Sequence, residues 1–220
     1  GNLIGALGGM GDPEVLAEAR RRFAADKTDP SAIPGPLRKV ILTVVAQHAD
    51  AATWDTIRAQ AQAEKTPLVR AQLYSLLAYA EDETLARRAL ELALTEEPGE
   101  TLSSSMISSV AGSHPELAFA FALDHKDAVN GKVDSSSRTR FIPALGAASS
   151  DPAMADKIRA FAAANFAEGS RKEAEKSAAA VLNRVAVRQN RLPAITAWRI
   201  WPIQAGAKAG SGWSCRISIM

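Results

Sequence analysis

Leu37, Val40, Ile41, Val44 and Val45 fall at i, i+3, i+4, i+7 and i+8, the spacing that sets five apolar side chains on one stripe of an α-helix. The pattern returns in Val69, Leu73, Leu76 and Leu77, and again in Met154, Ile158, Phe161 and Ala162, with Phe166 less regular. Up to Trp198 no segment alternates with the period of two that marks a half-buried strand. Each helix of such a chain has one stripe to bury, and only other helices are available to cover it. Ala, the best helix former, supplies about one residue in five.

The helix starts are marked as clearly as the stripes. Asp12-Pro13, Asp29-Pro30, Thr66-Pro67 and Asp151-Pro152 each set a capping oxygen before a proline. At the first helical position the missing proline N–H costs nothing, because that donor has no partner inside the helix. Ser113 with Glu116 and Ser170 with Glu173 have the spacing of capping boxes. These signals predict helices near 13–25, 35–48, 53–64, 67–80, 83–95, 101–111, 115–124, 138–148, 152–166, 171–189 and 193–198. The longest stretch expected to be non-helical before the tail is Asp127 to Ser137, with Asn130-Gly131 as its turn signal. Many short helices with short connections imply antiparallel pairs stacked side by side, each burying its stripe on its neighbours. No strict sequence repeat is visible, so the array is a degenerate one.

The chain's 220 residues allow one or two domains and a buried core. Lys and Arg number 26 against 24 Asp and Glu, a net charge of +2 with no concentrated basic half. That gives no support for a nucleic-acid or membrane-surface partner. The one cysteine, Cys215, rules out an internal disulfide and a cysteine zinc cage. No run approaches the ~18 apolar residues of a membrane span. Gly1 to Met10 is apolar but lacks a basic leader and a small-residue cleavage pattern, so it reads as the interior of something longer. A soluble chain is expected, with its compartment open.

Little catalytic chemistry is on display. His48, His114 and His125 are not spaced as H-E-x-x-H, and all three read as helix-end histidines, with His114 inside the Ser113 box. No metal site and no catalytic residue is expected. No G-x-S-x-G elbow surrounds Ser103 to Ser105, Ser108, Ser109 or Ser135 to Ser137. Gly8-Gly9-Met10-Gly11 lacks the strand and the Gly-Lys-Ser/Thr of a phosphate loop, and reads as a flexible lead-in to the Asp12 cap. Glu18 before Arg22 and Glu83 before Arg87 are spaced for i,i+4 pairs on solvated helix faces.

Gly11-Asp12-Pro13-Glu14-Val15 followed by Ala19-Arg20-Arg21-Arg22-Phe23 resembles the opening of the C-terminal helical domain of zinc aminopeptidases of the aminopeptidase N and puromycin-sensitive type. Ile33-Pro34 and Leu37-Arg38-Lys39-Val40 fit the family's next helix. Trp54, Arg140-Phe141-Ile142-Pro143 and the closing Asn183 to Trp198 fit as well. The order and spacing carry the likeness, which runs from about Leu3 to Trp198. It implies an all-α fold of antiparallel helix pairs stacked as a HEAT/armadillo-like superhelical array over residues 1–198. It implies a domain that closes over a catalytic domain of the same polypeptide, encloses the cavity and helps select peptide substrates. Zinc would belong to the parent enzyme and no cofactor to this segment. Basic side chains on the concave face of the family's domain can hold the carboxylate end of a peptide. Arg138 and Arg140 are the candidates here, since they start a helix just after the longest loop, and an arginine fork grips a carboxylate with two donors. The alternatives are a generic helical-repeat protein-binding scaffold and, less supported by the near-neutral charge, a helical-repeat nucleic-acid binder.

Residues 199–220 depart from the family and read as a short non-helical tail, foreign to the domain or specific to a lineage. Trp213, Cys215, Ile217 and Ile219 alternate with Ser214, Arg216 and Ser218, the pattern of a half-buried strand. A lone strand needs another edge, so the tail is expected to pair with its own copy in a homodimer.

Overall fold

The computed structural model describes residues 2–29 and 31–191. The helix expected at 193–198, the tail strand and the tail-mediated dimer lie outside the described residues, as does the 198/199 boundary.

Asp12 does what its position ahead of Pro13 demands. Its Oδ1 accepts from the backbone N–H of Glu14 and of Val15, at 3.1 and 3.0 Å. Two of the free donors at the helix start are thereby satisfied. The helix it opens, α2 (Pro13–Ala25), follows α1 (Asn2–Gly9) and precedes α3 (Gly35–Gln47), α4 (Ala51–Ala63), α5 (Pro67–Leu77) and α6 (Glu83–Leu94). Then come α7 (Glu100–Ser113), α8 (Pro115–Asp124), α9 (Lys126–Gly131), α10 (Arg138–Leu145), α11 (Ala153–Asn165) and α12 (Lys172–Asn190). Among the described residues there are twelve α-helices, three short 3-10 turns and no strand. The all-α expectation holds.

Short connections force consecutive helices to double back on one another. α2 packs on α3, α4 on α5, α6 on α7, and α8 on both α7 and α10. A second set of contacts joins α3 to α5, α5 to α7 and α7 to α10 in one row. The stripes meet in that interior: Ile41, Val44 and Val45 of α3, Leu73, Leu76 and Leu77 of α5, and Met154, Ile158 and Ala162 of α11 are all buried. Leu37 and Val40 are partly buried against the same core. Residues up to Val185 make up one compact unit.

Trp54 is 1% exposed and lies at the centre of the α4–α5 pair. Its indole N–H donates to the Leu77 carbonyl at 3.1 Å, satisfying an acceptor at the C-terminal end of α5. The Arg88 guanidinium of α6 lies over its ring, 4.2 Å from the centroid, and is held there by Asp55 at 2.6 Å.

A second knot lies in the turn between α6 and α7. Glu97 accepts from Arg58 Nε and Nη2 at 2.9 and 2.6 Å, from Gln62 Nε2 at 3.0 Å and from the Tyr74 hydroxyl at 3.3 Å. Arg70 Nη2 donates to the Glu97 carbonyl. The Arg58 hydrogen bonds are the main reason that the Glu97 carboxyl is held below its ordinary range. Gly99 closes this turn at φ 92°, a left-handed conformation that suits a residue without Cβ.

Several local expectations are corrected. Residues 126–131 are helical rather than loop: α9 is a short helix pinned by buried Val129. α1 was not expected as a helix at all. Asp29 does not open a helix; it accepts from the Ser31 N–H and hydroxyl in a turn, and α3 starts at Gly35 with a proline in its first turn. Thr66 precedes α5, yet its side chain makes no capping bond. Neither capping box forms. Ser113 is the last residue of α7, and Glu116 accepts instead from the buried Ser149 hydroxyl. His114 therefore lies at a helix junction and not inside a box. Ser170 lies in a 3-10 turn, and Glu173 accepts from Lys176. Glu18 pairs with Arg22 as expected, and with Arg21 too; hydrogen bonds from Arg21 first and Arg22 second hold its carboxyl down at about 2. Arg87 has no ion pair among the described residues, and its neighbour Arg88 makes the bridge.

Candidate substrate-facing groove

α3 and α5 lie side by side in the row, and the end of α4 closes the space between them. The groove so formed has a volume of about 780 Å³. Leu42, Leu73 and Leu76 lie along it, with Leu68, Val69 and Tyr79 at its edges. Leu68 is 70% exposed, because it follows Pro67 at the start of α5 and stands off the helix's buried stripe. Val69, read from the sequence as part of that stripe, is 37% exposed.

The groove's polar residues come from three helices. Arg38 Nη1 and Nη2 both donate to the Asp26 carboxylate at 2.7 Å, so its fork is already filled, and that bond raises the Arg38 pKa. Lys39 is exposed and makes no ion pair among the described residues. Gln60 and Gln72 add amides, and Glu64 accepts from the Thr66 N–H at 2.6 Å. That backbone bond lowers the Glu64 pKa. Its volume falls in the ~300–1,000 Å³ size class of small-ligand pockets, with an apolar floor and a few polar groups at its edge.

Arg138 and Arg140 do not line this groove. Arg138 opens α10, and its Nε donates back to the carbonyls of Asn130 and Val133 at 3.1 and 3.3 Å. Arg140 Nη2 donates to the Ser137 hydroxyl at 2.9 Å. Both side chains are exposed, and α7 stands between their helix and α5 in the row. The groove was not foreseen from the sequence. Its one signal was Leu68, an apolar residue beside the proline and off the helical stripe.

The three histidines all stand at helix ends. His114 Nε2 lies 3.0 Å from the Ala80 carbonyl, and the His125 ring stacks on Phe121 with centroids 4.3 Å apart. His48 ends α3. Among the described residues no group of three or more His, Cys, Asp or Glu side chains is arranged to hold a metal ion. The described residues do not fit a zinc site. No helix among the described residues is long and apolar enough to cross a membrane.

Rows of paired helices with a groove on one row define a helical-repeat domain. Residues 1–183 match the family described as the ERAP1-like C-terminal domain, and the chain belongs to that family. The family is a C-terminal domain of aminopeptidases, which are zinc enzymes. No curated protein matches the chain.

Proposed function

We propose that this chain forms a wall of the substrate cavity of a zinc aminopeptidase and takes part in gating it, acting on peptides held by a catalytic domain of the same polypeptide. The observation that carries this reading is the 780 Å³ groove between α3 and α5, in a chain of the aminopeptidase C-terminal family. The groove buries apolar side chains of a peptide without demanding a sequence. Exposed cations of the same row, Lys39 on α3 and Arg138 and Arg140 on α10, suit the carboxylate end. The chemistry of bond cleavage is assigned elsewhere, since no H-E-x-x-H motif lies in this sequence.

Two outcomes follow. The isolated chain binds no zinc stoichiometrically and does not hydrolyse an aminoacyl anilide; one tightly held zinc per chain, together with turnover, overturns the assignment. In the full-length enzyme, replacing both Arg138 and Arg140 by Ala raises KM for long peptides roughly two- to tenfold, the worth of an exposed charge-assisted contact. Small chromogenic substrates are spared. Equal effects on both substrate sizes sink the role given to the pair.

A further inference from the structure

His48 lies where α1, α3 and the turn before α6 meet. Its Nε2 is 2.8 Å from the Gly8 carbonyl of α1, and its Nδ1 is 3.1 Å from the Glu81 carboxylate. Both partners are acceptors. A neutral imidazole carries one N–H and one lone pair, so it satisfies only one of them and turns a lone pair on the other. An imidazolium donates to both. We propose that His48 is a protonation-dependent clasp that seats α1 on the array as an imidazolium and loosens it when neutral.

The packing around the clasp makes α1 depend on it. α1 rests on α3 through glycine: a Cβ on Gly8 would collide with the Val44 side chain, and one on Gly5 would come within 3.0 Å of Val40 Cγ2. The close approach holds the Gly8 carbonyl in reach of the ring. The eight-residue helix is too short to be stable alone, so its order comes from docking. The opposite side of the ring is fixed by the backbone, since the Glu81 N–H donates to the Gln47 carbonyl at 2.9 Å. The charged groups around His48 come from three further places. Arg20 of α2 donates to the His48 carbonyl at 2.9 Å, Glu81 comes from the turn before α6, and Asp50 caps α4 two residues on. Of these, the Glu81 carboxylate is the one that meets the ring itself. The His48 side chain is 16% exposed, so water does not readily replace a lost bond.

The sign follows from the geometry. Docking of α1 is strongest with His48 as an imidazolium, which donates to both acceptors, and weaker with it neutral, when only one bond remains. What α1 presents moves with it: Leu3, Ala6 and Met10, spaced at i, i+3 and i+7, form an exposed apolar stripe on and just beyond the helix. This property is independent of the groove and of peptide binding.

Amide hydrogen exchange on the 220-residue chain between pH 5.5 and 7.5 tests the clasp, with rates corrected for the intrinsic pH dependence and α6 as internal reference. Protection of the α1 amides is expected to fall roughly three- to tenfold across that range relative to α6, the span of one charge-assisted hydrogen bond with a half-exposed partner. His48→Gln should flatten the profile. Nitrogen shifts of the His48 ring in the wild-type chain give a second reading that needs no variant: both ring nitrogens should be protonated at the acid end. Protection of α1 that is flat with pH, or that falls in step with α6, overturns the proposal, as does a ring with one unprotonated nitrogen throughout.

Discussion

Trp54→Ala is expected to cost about 3–5 kcal/mol in urea or thermal unfolding, the range for deleting a large buried aromatic side chain. Three losses add up at this position. The removed indole leaves a cavity between α4 and α5, because a residue 1% exposed has packed neighbours on every side. The Leu77 carbonyl loses the donor that satisfies it at 3.1 Å. Arg88 loses the ring beneath its guanidinium. Trp54→Phe separates these terms. It keeps much of the volume but leaves Leu77 without its donor, and should cost about 1–3 kcal/mol. Since small domains are stable by only ~5–15 kcal/mol, this loss removes a large share of the total. An alanine variant within about 1 kcal/mol of wild type would show that Trp54 is not the centre of the α4–α5 pair.

Glu97→Ala is expected to cost about 1–3 kcal/mol, less than Trp54→Ala because its partners reach some water. The variant leaves the Arg58 fork, the Gln62 amide and the Tyr74 hydroxyl without their shared acceptor. The pH dependence has a definite sign. The folded-state pKa of Glu97 is depressed, chiefly by the Arg58 hydrogen bonds. Its contribution is therefore fully present above the unfolded carboxylate value of ~4.3 and is lost as pH falls through the lower folded value. Stability curves of wild type and Glu97→Ala should run parallel at neutral pH and converge in acid. A constant gap down to the acid limit would mean that Glu97 acts through packing and not through its charge.

Helices are read most directly from sequence where stripe and cap agree. α2 is of this kind, with Asp12 as its cap, and so is α11, where the Asp151 carboxylate accepts from Ala153 N–H at 2.9 Å; α3 and α5 are legible from their stripes alone, since no side chain caps them. α1 was hidden because its three glycines argue against a helix by propensity. Gly5 and Gly8 are needed for another reason, the close approach to Val40 and Val44, and sequence cannot show an approach. α9 was hidden by Asn130-Gly131, a genuine turn signal that here ends a helix. The two failed capping boxes share a cause: box spacing is necessary but not sufficient, and the acid of each found another partner, Ser149 for Glu116 and Lys176 for Glu173.

The site was less legible than the fold. Arg138 and Arg140 were singled out by position at a helix start, but the groove depends on which faces of α3 and α5 stay uncovered. That is decided by row order, a tertiary property. Glu97 shows the same limit. In the sequence Glu96-Glu97 reads only as an acidic pair at a helix boundary with no partner acid for catalysis, while the donors to Glu97 lie 39, 35 and 23 residues earlier.

Glu97 also changes how the stack comes apart. When each hairpin touches only the next, stability is close to a sum of separate units with weak coupling, and units can open one at a time. Here the carboxylate in the α6–α7 turn is gripped by side chains of α4 and α5, so opening one hairpin strips an ion pair from the other. The coupling term between them is raised at their shared boundary. α4 to α7 are then expected to melt as a single cooperative block.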